Sequence, residues 1–202
     1  MKRLANGPDR PYLSRLREEQ ADATRVRILD ATVRVMAGAT AFVSIPAVAR
    51  EAGVSVPTVY RHFGTKRDLL AAVYPHIVRR AGLDELVAPR SLAELRDGVR
   101  ALFSHVESFG QLARAAMASP AADEARRINM PDRIEMSRAF ADSIRPKLAR
   151  SDRDRLARLL VILLSSSALR LWRDHLGASI DQAADDIDWI VRAAVAASDR
   201  ES

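Results

Sequence analysis

The sequence predicts an all-α protein, and three observations support this fold class. Apolar residues recur three and four positions apart along most of the chain, which is the spacing of one face of a helix. The eight Gly and nine Pro are too few for a disordered or all-β chain of this length. Ser and Thr stand directly before several of the periodic stretches, where they are suited to cap a helix. A chain of 202 residues can also bury a substantial core.

Composition narrows the possible function classes. The chain has no cysteine, which excludes disulfides and thiolate metal sites and is compatible with a reducing compartment. No stretch reaches the roughly 18 apolar residues of a membrane span. Lys2 and Arg3 are not followed by the apolar run of a signal peptide. We therefore expect a soluble, cytoplasmic protein with no membrane association.

Positive charge is concentrated in the first third of the chain. Residues 1–70 hold 12 Lys and Arg against 7 Asp and Glu, a net charge of +5. Residues 71–202 hold 20 against 19, a net charge of +1. A basic front and a nearly neutral remainder favour a polyanionic partner for the front, although many small proteins are mildly basic for no functional reason.

Residues 1–22 are expected to form a flexible basic arm, because no helical stripe forms up to Pro11, although Leu13, Leu16 and Gln20 could begin one. Such an arm could follow DNA phosphates or enter a minor groove, and it could equally be a solvated tail. The first helix is then predicted from Thr24 to Met36, with Gly38 ending it.

Two short helices joined by a tight turn are predicted next. Ser44 is placed to cap the first, and Gly53 to end it in a left-handed conformation. Ser55 is placed to cap the second, in which Val59 and Phe63 point inward. This is the layout of a helix-turn-helix DNA reader.

The outward face of the second short helix carries no carboxylate. It consists of Val56, Pro57, Thr58, Arg61 and His62, with Tyr60 at its border. Such a face can enter a major groove without repelling phosphates. Gly64 ends the helix, and Thr65 with Asp68 forms a capping box for the next one. Lys66 opposes that helix's dipole, which favours an external anion such as a DNA phosphate.

The order SIxxVAxxAGVSxxTVYRHFGTKxxLL resembles the DNA-binding domain of TetR-family transcriptional regulators. The resemblance implies that Pro57 and Thr58 face the groove and that Tyr60, His62 and Lys66 hold phosphates. It also implies that Ser44 reaches the DNA backbone and that Val56 takes part in sequence choice. Pro46 departs from the family, because relatives often carry a polar or basic residue there. The predicted DNA-binding residues are Ser44, Val56, Pro57, Thr58, Tyr60, Arg61, His62 and Lys66.

The rest of the chain is predicted to be helical. The expected spans are 65–81, 91–109, 111–119, 121–149 with interruptions near Pro131 and Pro146, 151–176, and 179–198. The span 151–176 presents apolar residues on two faces, so it needs two packing partners, and the span 179–198 carries one continuous apolar stripe that includes Ala183, Ile187 and Val195. We expect a homodimer formed through these two helices, since a helix-turn-helix reader uses two half-sites. A monomeric bundle is the simpler alternative.

No catalytic constellation is visible, and neither an enzyme activity, a cofactor nor a metal is expected. The four His are scattered without metal spacing, and no phosphate-binding loop or nucleophile elbow occurs. The resemblance instead implies a small apolar or amphipathic effector bound between the middle helices. Our candidates are Phe103, His105, Val106, Phe109, Met117, Met136, Phe140, Ile162, Ser166 and Trp172, of which His105 and Ser166 would be polar anchors. These residues could also simply fill the core.

Taken together, the sequence predicts an all-α regulator in four parts. These are an arm (1–22), a three-helix helix-turn-helix domain (23–64), a connecting helix (65–82) and a bundle for ligand binding and dimerisation (83–202). The expected function is sequence-specific binding of a palindromic double-stranded DNA operator, as a repressor released by a small effector. The alternatives are a non-specific architectural DNA binder and an enzyme that has kept a vestigial DNA domain.

Overall fold

A computed structural model describes residues 10–38, 42–80, 82, 86, 88–146 and 148–201. Regular structure within these ranges is entirely helical, which confirms the predicted fold class. The helices are α1 (Arg10–Ala37), α2 (Ile45–Ala52), α3 (Val56–Phe63), α4 (Lys66–Arg80), α5 (Leu95–Glu107), α6 (Gln111–Ala118), α7 (Pro120–Ile128), α8 (Met130–Ile144), α9 (Arg150–Leu163), α10 (Ser166–Arg170) and α11 (Ile180–Glu201), with a π-helical turn at Leu171–His175. No helix in the described ranges is long and apolar enough to cross a membrane.

The four N-terminal helices share one hydrophobic core with α6 and α7. Its buried members include Ile28, Val48, Val59, Leu69 and Leu70 from α1–α4, together with Phe109, Ala116, Ala121, Ala122 and Ala125. The small alanine side chains let α6 approach α1 and α7 approach α4 closely. The boundary that we placed at residue 82 therefore does not separate two independent cores.

A second core lies among α5, α8, α9 and α11. Its buried members include Leu95, Phe103, Ala141, Leu160, Ile187 and Val191. The apolar stripe of α11 that we assigned to dimerisation is buried here within its own chain, since Ala183, Ile187 and Val195 all belong to this core. Any contact with a second copy must therefore use another face of α11.

The first helix begins well before the predicted Thr24. It starts at Arg10, and Pro11 lies in its first turn, where a missing N–H is harmless. Two pairs of exposed side chains support the added turns: Ser14 donates to Glu18 (3.2 Å) and Arg15 donates to Glu19 (3.1 Å). Residues 10–22 are thus helical rather than part of an arm, and residues 1–9 lie outside the described ranges.

The capping box predicted at Ser91 does not form. The helix begins four residues later, at Leu95, and residues 91–94 form turns. The Glu94 carboxylate accepts the backbone N–H of Arg90 (3.0 Å) instead of the N–H of Ser91. The capping box predicted at Ser179 is confirmed, because Gln182 N donates to Ser179 Oγ (3.1 Å) and Ser179 N donates to Gln182 Oε1 (2.8 Å).

The single helix predicted from Ser151 to Leu176 is broken in the structure. It begins one residue earlier, at Arg150, and α9 ends at Leu163. Ser165 then caps the short α10 by accepting the backbone N–H of Ala168 (3.0 Å), while its own hydroxyl donates to the Ile162 carbonyl (2.8 Å). A serine that satisfies backbone groups in this way competes with the helix and ends it. The last turns continue as the π-helical segment.

Candidate nucleic-acid interface

Local hydrogen bonds fix the turn between α2 and α3. Ser44 caps α2, since its Oγ accepts the backbone N–H of Ala47 (3.2 Å). Gly53 ends α2 at φ 65°, a left-handed conformation that costs glycine little. Val54 N then donates to the Ala49 carbonyl (2.9 Å), which closes the turn and aims α3 away from α2.

The third helix is anchored on one side and exposed on the other. Val59 and Phe63 are buried in the N-terminal core, as predicted. Ser55 caps α3 by accepting the backbone N–H of Thr58 (3.3 Å), and the two hydroxyl groups lie 2.8 Å apart. Of the predicted DNA-binding residues on this helix, Pro57, Tyr60 and Arg61 are exposed, whereas Val56, Thr58 and His62 are half-buried. The side of α3 opposite the core is therefore an acid-free surface open to solvent.

An arginine from α1 that the sequence did not single out supports the end of α3. The Arg25 guanidinium carbon lies 4.2 Å from the centre of the Phe63 ring, and its Nη1 donates to the His62 carbonyl (2.7 Å). Burial lowers the pKa of His62, and the charges of Arg61 and Arg25 lower it further. The imidazole is thus held neutral next to a group of positive charges.

The start of α4 carries an ion pair to the body of the protein. Thr65 and Asp68 form the predicted capping box, with Thr65 N to Asp68 Oδ2 at 3.2 Å and Asp68 N to Thr65 Oγ1 at 3.1 Å. Lys66 Nζ lies 3.0 Å from Oε2 of Glu124 on α7, and both side chains are 35% exposed. The sequence led us to expect an external anion for Lys66, and the structure supplies an internal one.

The second half of α4 is held against α1. His76 is buried, and its Nε2 lies 2.7 Å from Oδ1 of Asp30, while Arg80 Nη1 lies 3.4 Å from Oδ2 of the same carboxylate. With Lys66 bound to Glu124, α4 is tied at its start to α7 and in its second half to α1. Any shift of α7 relative to α1 therefore acts on α4.

Comparison with known proteins finds a family match in the N-terminal part of the chain. Residues 28–73 match the family model described as bacterial regulatory proteins, tetR family. The matched segment includes the buried face of α1, both capped helices and most of α4. The N-terminal part of the chain therefore carries a DNA-binding domain of the tetR family.

A solved structure shares the fold over most of the chain's length. It is described as a tetR-family transcriptional regulator from Streptomyces coelicolor, with a TM-score of 0.52 and 20% sequence identity. The match covers 90% of this chain and 84% of that chain. At this identity the likeness shows the fold alone. No curated protein matches the sequence.

The residues predicted to bind an effector lie in different places. Val106, Met117 and Ser166 line a cavity of about 560 Å³ between α5, α6 and α10. These three residues, with Phe109, also line a neighbouring cavity of about 70 Å³. Met136 and Phe140 line a third cavity of about 290 Å³ between α5, α8 and α9.

The other four candidates line none of these three cavities. Phe103 is fully buried in the second core, and Trp172 packs against that core. His105 is half-buried on α5, and Ile162 on α9 is 64% exposed to solvent. Periodicity could not separate these residues from the cavity-lining ones, because one helix face contributes both to a core and to the rim of a cavity.

Proposed function

We propose that this DNA-binding regulator is a homodimeric repressor that binds a palindromic operator and leaves it when a small molecule binds. The observation that carries the proposal is the acid-free outer face of α3, flanked by the Ser44 hydroxyl and the Lys66 ammonium group. A helix presented in this way can enter a major groove while its flanks hold phosphates. A cytoplasmic location belongs to the same proposal.

The side chains of α2 and α3 on this surface can still contact DNA, whereas Lys66 would have to leave its ion pair with Glu124 to do so. The Ser44 Oγ accepts a backbone N–H, so its hydroxyl proton remains available to a phosphate oxygen. Tyr60 is 46% exposed and can direct its hydroxyl outward, next to the exposed Arg61. Pro57 and Thr58 are assigned to the floor of the groove. Val56 packs partly against the N-terminal core, so its part in sequence choice would be indirect.

Dimerisation is assigned to the outer faces of α9 and α11. Trp189 on α11 is 71% exposed, and Ala193 and Ala196 lie exposed on the same side of that helix. A large exposed indole next to small residues is typical of a helix face that packs against another helix. The exposed side chain of Ile162 adds an apolar residue of α9 to this proposed surface.

Release from the operator is assigned to the cavities next to α4. The cavity of about 70 Å³ is bounded on one side by Val73, Tyr74 and Ile77 of α4. A ligand that binds more tightly to one position of α4 than to another would shift the spacing of the two DNA-reading helices in a dimer. Without such a difference in affinity, a ligand cannot cause release.

Selection of genomic DNA fragments by the purified full-length protein tests the proposal. We expect enrichment of fragments that share an inverted repeat, with half-sites about one helical turn apart. Enrichment should fall when metabolite extract is added. Equal retention of all fragments would contradict a specific operator and would support the architectural alternative.

Replacing Thr58 with valine is expected to change sequence preference more than overall affinity. The substitution keeps the shape of the side chain and removes the hydroxyl that would read a base edge, at a cost of about 1–3 kcal/mol at one base position. Replacing Lys66 with glutamine should instead weaken binding to all DNA sequences to the same extent. Competition binding to duplexes with every single-base change in the selected half-site measures both effects. Identical profiles for the two variants would contradict this division of roles.

DNA affinity is expected to rise as the pH falls from about 7 towards 6. The pKa of His62 lies below its usual 6.5 in the free protein, and a nearby phosphate would raise it, so binding takes up a proton in this range. His62→Gln retains hydrogen-bonding groups but does not titrate, and it should remove the pH-dependent increment. Fluorescence anisotropy at constant ionic strength measures this. An unchanged pH profile in the variant would assign the effect to another group.

A further inference from the structure

The cavity of about 560 Å³ is unusual in its charged lining. Its volume is within the range of small-molecule sites. One side is apolar, with Val106, Met117 and Leu169. The opposite side carries three arginines and two acids, namely Arg114, Arg170, Arg173, Glu107 and Asp174.

The ion pairs within this lining leave positive charge unmatched. Arg173 Nη2 lies 2.9 Å from Oε1 of Glu107, so these two charges offset each other. Arg114 donates to the carbonyl oxygen of Glu107 (3.0 Å), which leaves its charge without a carboxylate. Within the described ranges, Arg170 forms neither an ion pair nor a hydrogen bond through its side chain. Two unpaired guanidinium groups thus face the single unpaired carboxylate of Asp174.

The broken helix brings these groups together with two free hydroxyls. Ser166 and Ser167 open α10 and line the cavity, and neither hydroxyl has a hydrogen-bond partner among the described residues. Arg170, Arg173 and Asp174 follow at positions i, i+3 and i+4, which share one helix face, and all three line the same cavity. Guanidinium and hydroxyl groups are the donors that recognise a carboxylate.

The apolar side of the cavity leads towards α4. Val106, Met117 and Ser166 form a wall shared with the cavity of about 70 Å³, whose far side is Val73, Tyr74 and Ile77. Met117 is half-buried and unbranched, so its side chain can move aside for an apolar group. A ligand anchored at the arginines can therefore extend a tail through this wall to the helix that carries Lys66.

We propose that the effector is an organic acid with an apolar tail. Its carboxylate binds Arg114, Arg170 and the hydroxyls of Ser166 and Ser167, and its tail displaces Met117 to contact α4. This inference rests on the proposed ligand-responsive function and specifies the class of ligand. Asp174 disfavours a second negative charge on the ligand, so a monoanion fits better than a dianion.

Calorimetric titration of the full-length protein without DNA tests the ligand class. The probes are decanoate, 1-decanol and decylammonium, which share one tail and differ in the charge of the head group. We expect decanoate to bind on the order of tenfold more tightly than either of the others, since a charge-assisted hydrogen bond is worth about one tenfold step or more. Shortening decanoate to octanoate should weaken binding about fourfold per methylene removed. Equal affinities for the three probes, or tighter binding of decylammonium, would overturn the proposal.

Two charge-neutralising variants distinguish a contact inside the cavity from a general effect of the protein's net charge on ligand binding. Arg170→Gln should weaken decanoate on the order of tenfold and leave 1-decanol unchanged, because only the carboxylate uses the guanidinium. Arg127→Gln removes the same charge from an exposed position on α7 outside the cavity, and it should change neither affinity. Equal effects of the two variants would overturn the assignment. Circular dichroism melting shows whether either variant is unfolded, and Arg114→Gln provides a second test in the same cavity.

The selection of genomic DNA fragments tests the repressor function independently of the proposed class of ligand. A protein that selects operator fragments but does not bind decanoate more tightly than 1-decanol contradicts only the ligand class. A protein that binds decanoate as expected but retains all DNA fragments equally contradicts the repressor function and leaves the cavity assignment intact.

Discussion

Lys66→Gln is expected to weaken binding to every DNA duplex, whereas Glu124→Gln is expected to strengthen it. Both substitutions remove the same 3.0 Å ion pair between α4 and α7. They differ in what remains. Lys66→Gln leaves no cation to bind a DNA phosphate. Glu124→Gln keeps the Lys66 ammonium group and removes the carboxylate that competes with the phosphate for it. A purely structural ion pair would give the two variants effects of the same sign.

The expected magnitudes follow from the environment of the pair. A lost charge-assisted hydrogen bond costs about 1.5–3 kcal/mol, so two copies of Lys66→Gln in a dimer should weaken DNA binding by about 100-fold or more. A partly exposed ion pair is worth at most about 1 kcal/mol, so the two copies of Glu124→Gln in a dimer should strengthen DNA binding by roughly 30-fold or less.

Salt titration of a selected operator and of an unrelated duplex measures this prediction. The slope of log K against log[salt] should become less steep by about one per subunit in Lys66→Gln and should stay constant in Glu124→Gln. Thermal unfolding controls for the lost contact between α4 and α7, which both variants lack equally. Weaker DNA binding by Glu124→Gln would show that the ion pair positions α4 for DNA instead of competing with it.

Trp189→Glu is expected to dissociate the proposed homodimer. The indole is exposed in the single chain, and in a two-fold symmetric contact the same residue is buried twice. An aromatic anchor contributes about 2 kcal/mol or more, so the two copies together should shift the dimerisation constant on the order of 1000-fold. Operator affinity should fall with it, because a monomer can engage only one half-site.

Sedimentation equilibrium over a range of protein concentrations measures the change. Leu112 on α6 is a matched control, since it is also a large exposed apolar residue but lies on another helix. Leu112→Glu should leave the dimer intact. A dimer that survives Trp189→Glu with an unchanged constant would place the interface elsewhere.

The parts of the structure that sequence could predict depend on neighbours within a few residues. The caps at Ser44 and Ser55, the left-handed Gly53 and the capping box of Thr65 with Asp68 all form as expected. Each depends on hydrogen bonds to residues two to four positions away, so a local sequence pattern is enough to predict it.

The features that the sequence did not reveal depend on competition or on distant partners. At Ser91 the carboxylate that would complete the cap binds a different backbone N–H. At Ser165 a hydroxyl that periodicity placed inside a long helix ends that helix instead. Glu124 is 58 positions away from Lys66, and no local pattern links them. The fold can therefore be read largely from local rules, whereas the electrostatics of the site needs the packed structure.

The shared core beneath the DNA-reading helices has a consequence for protein engineering. An independent reader could be joined to a new sensor without further changes. Here Ala116 of α6 and Ala121 of α7 are built into the same core as Ile28 and Leu69. A chimera cut after α4 would leave that core open and would lose the partner of Lys66. The smallest transplantable unit of this chain therefore includes α6 and α7 with the reader.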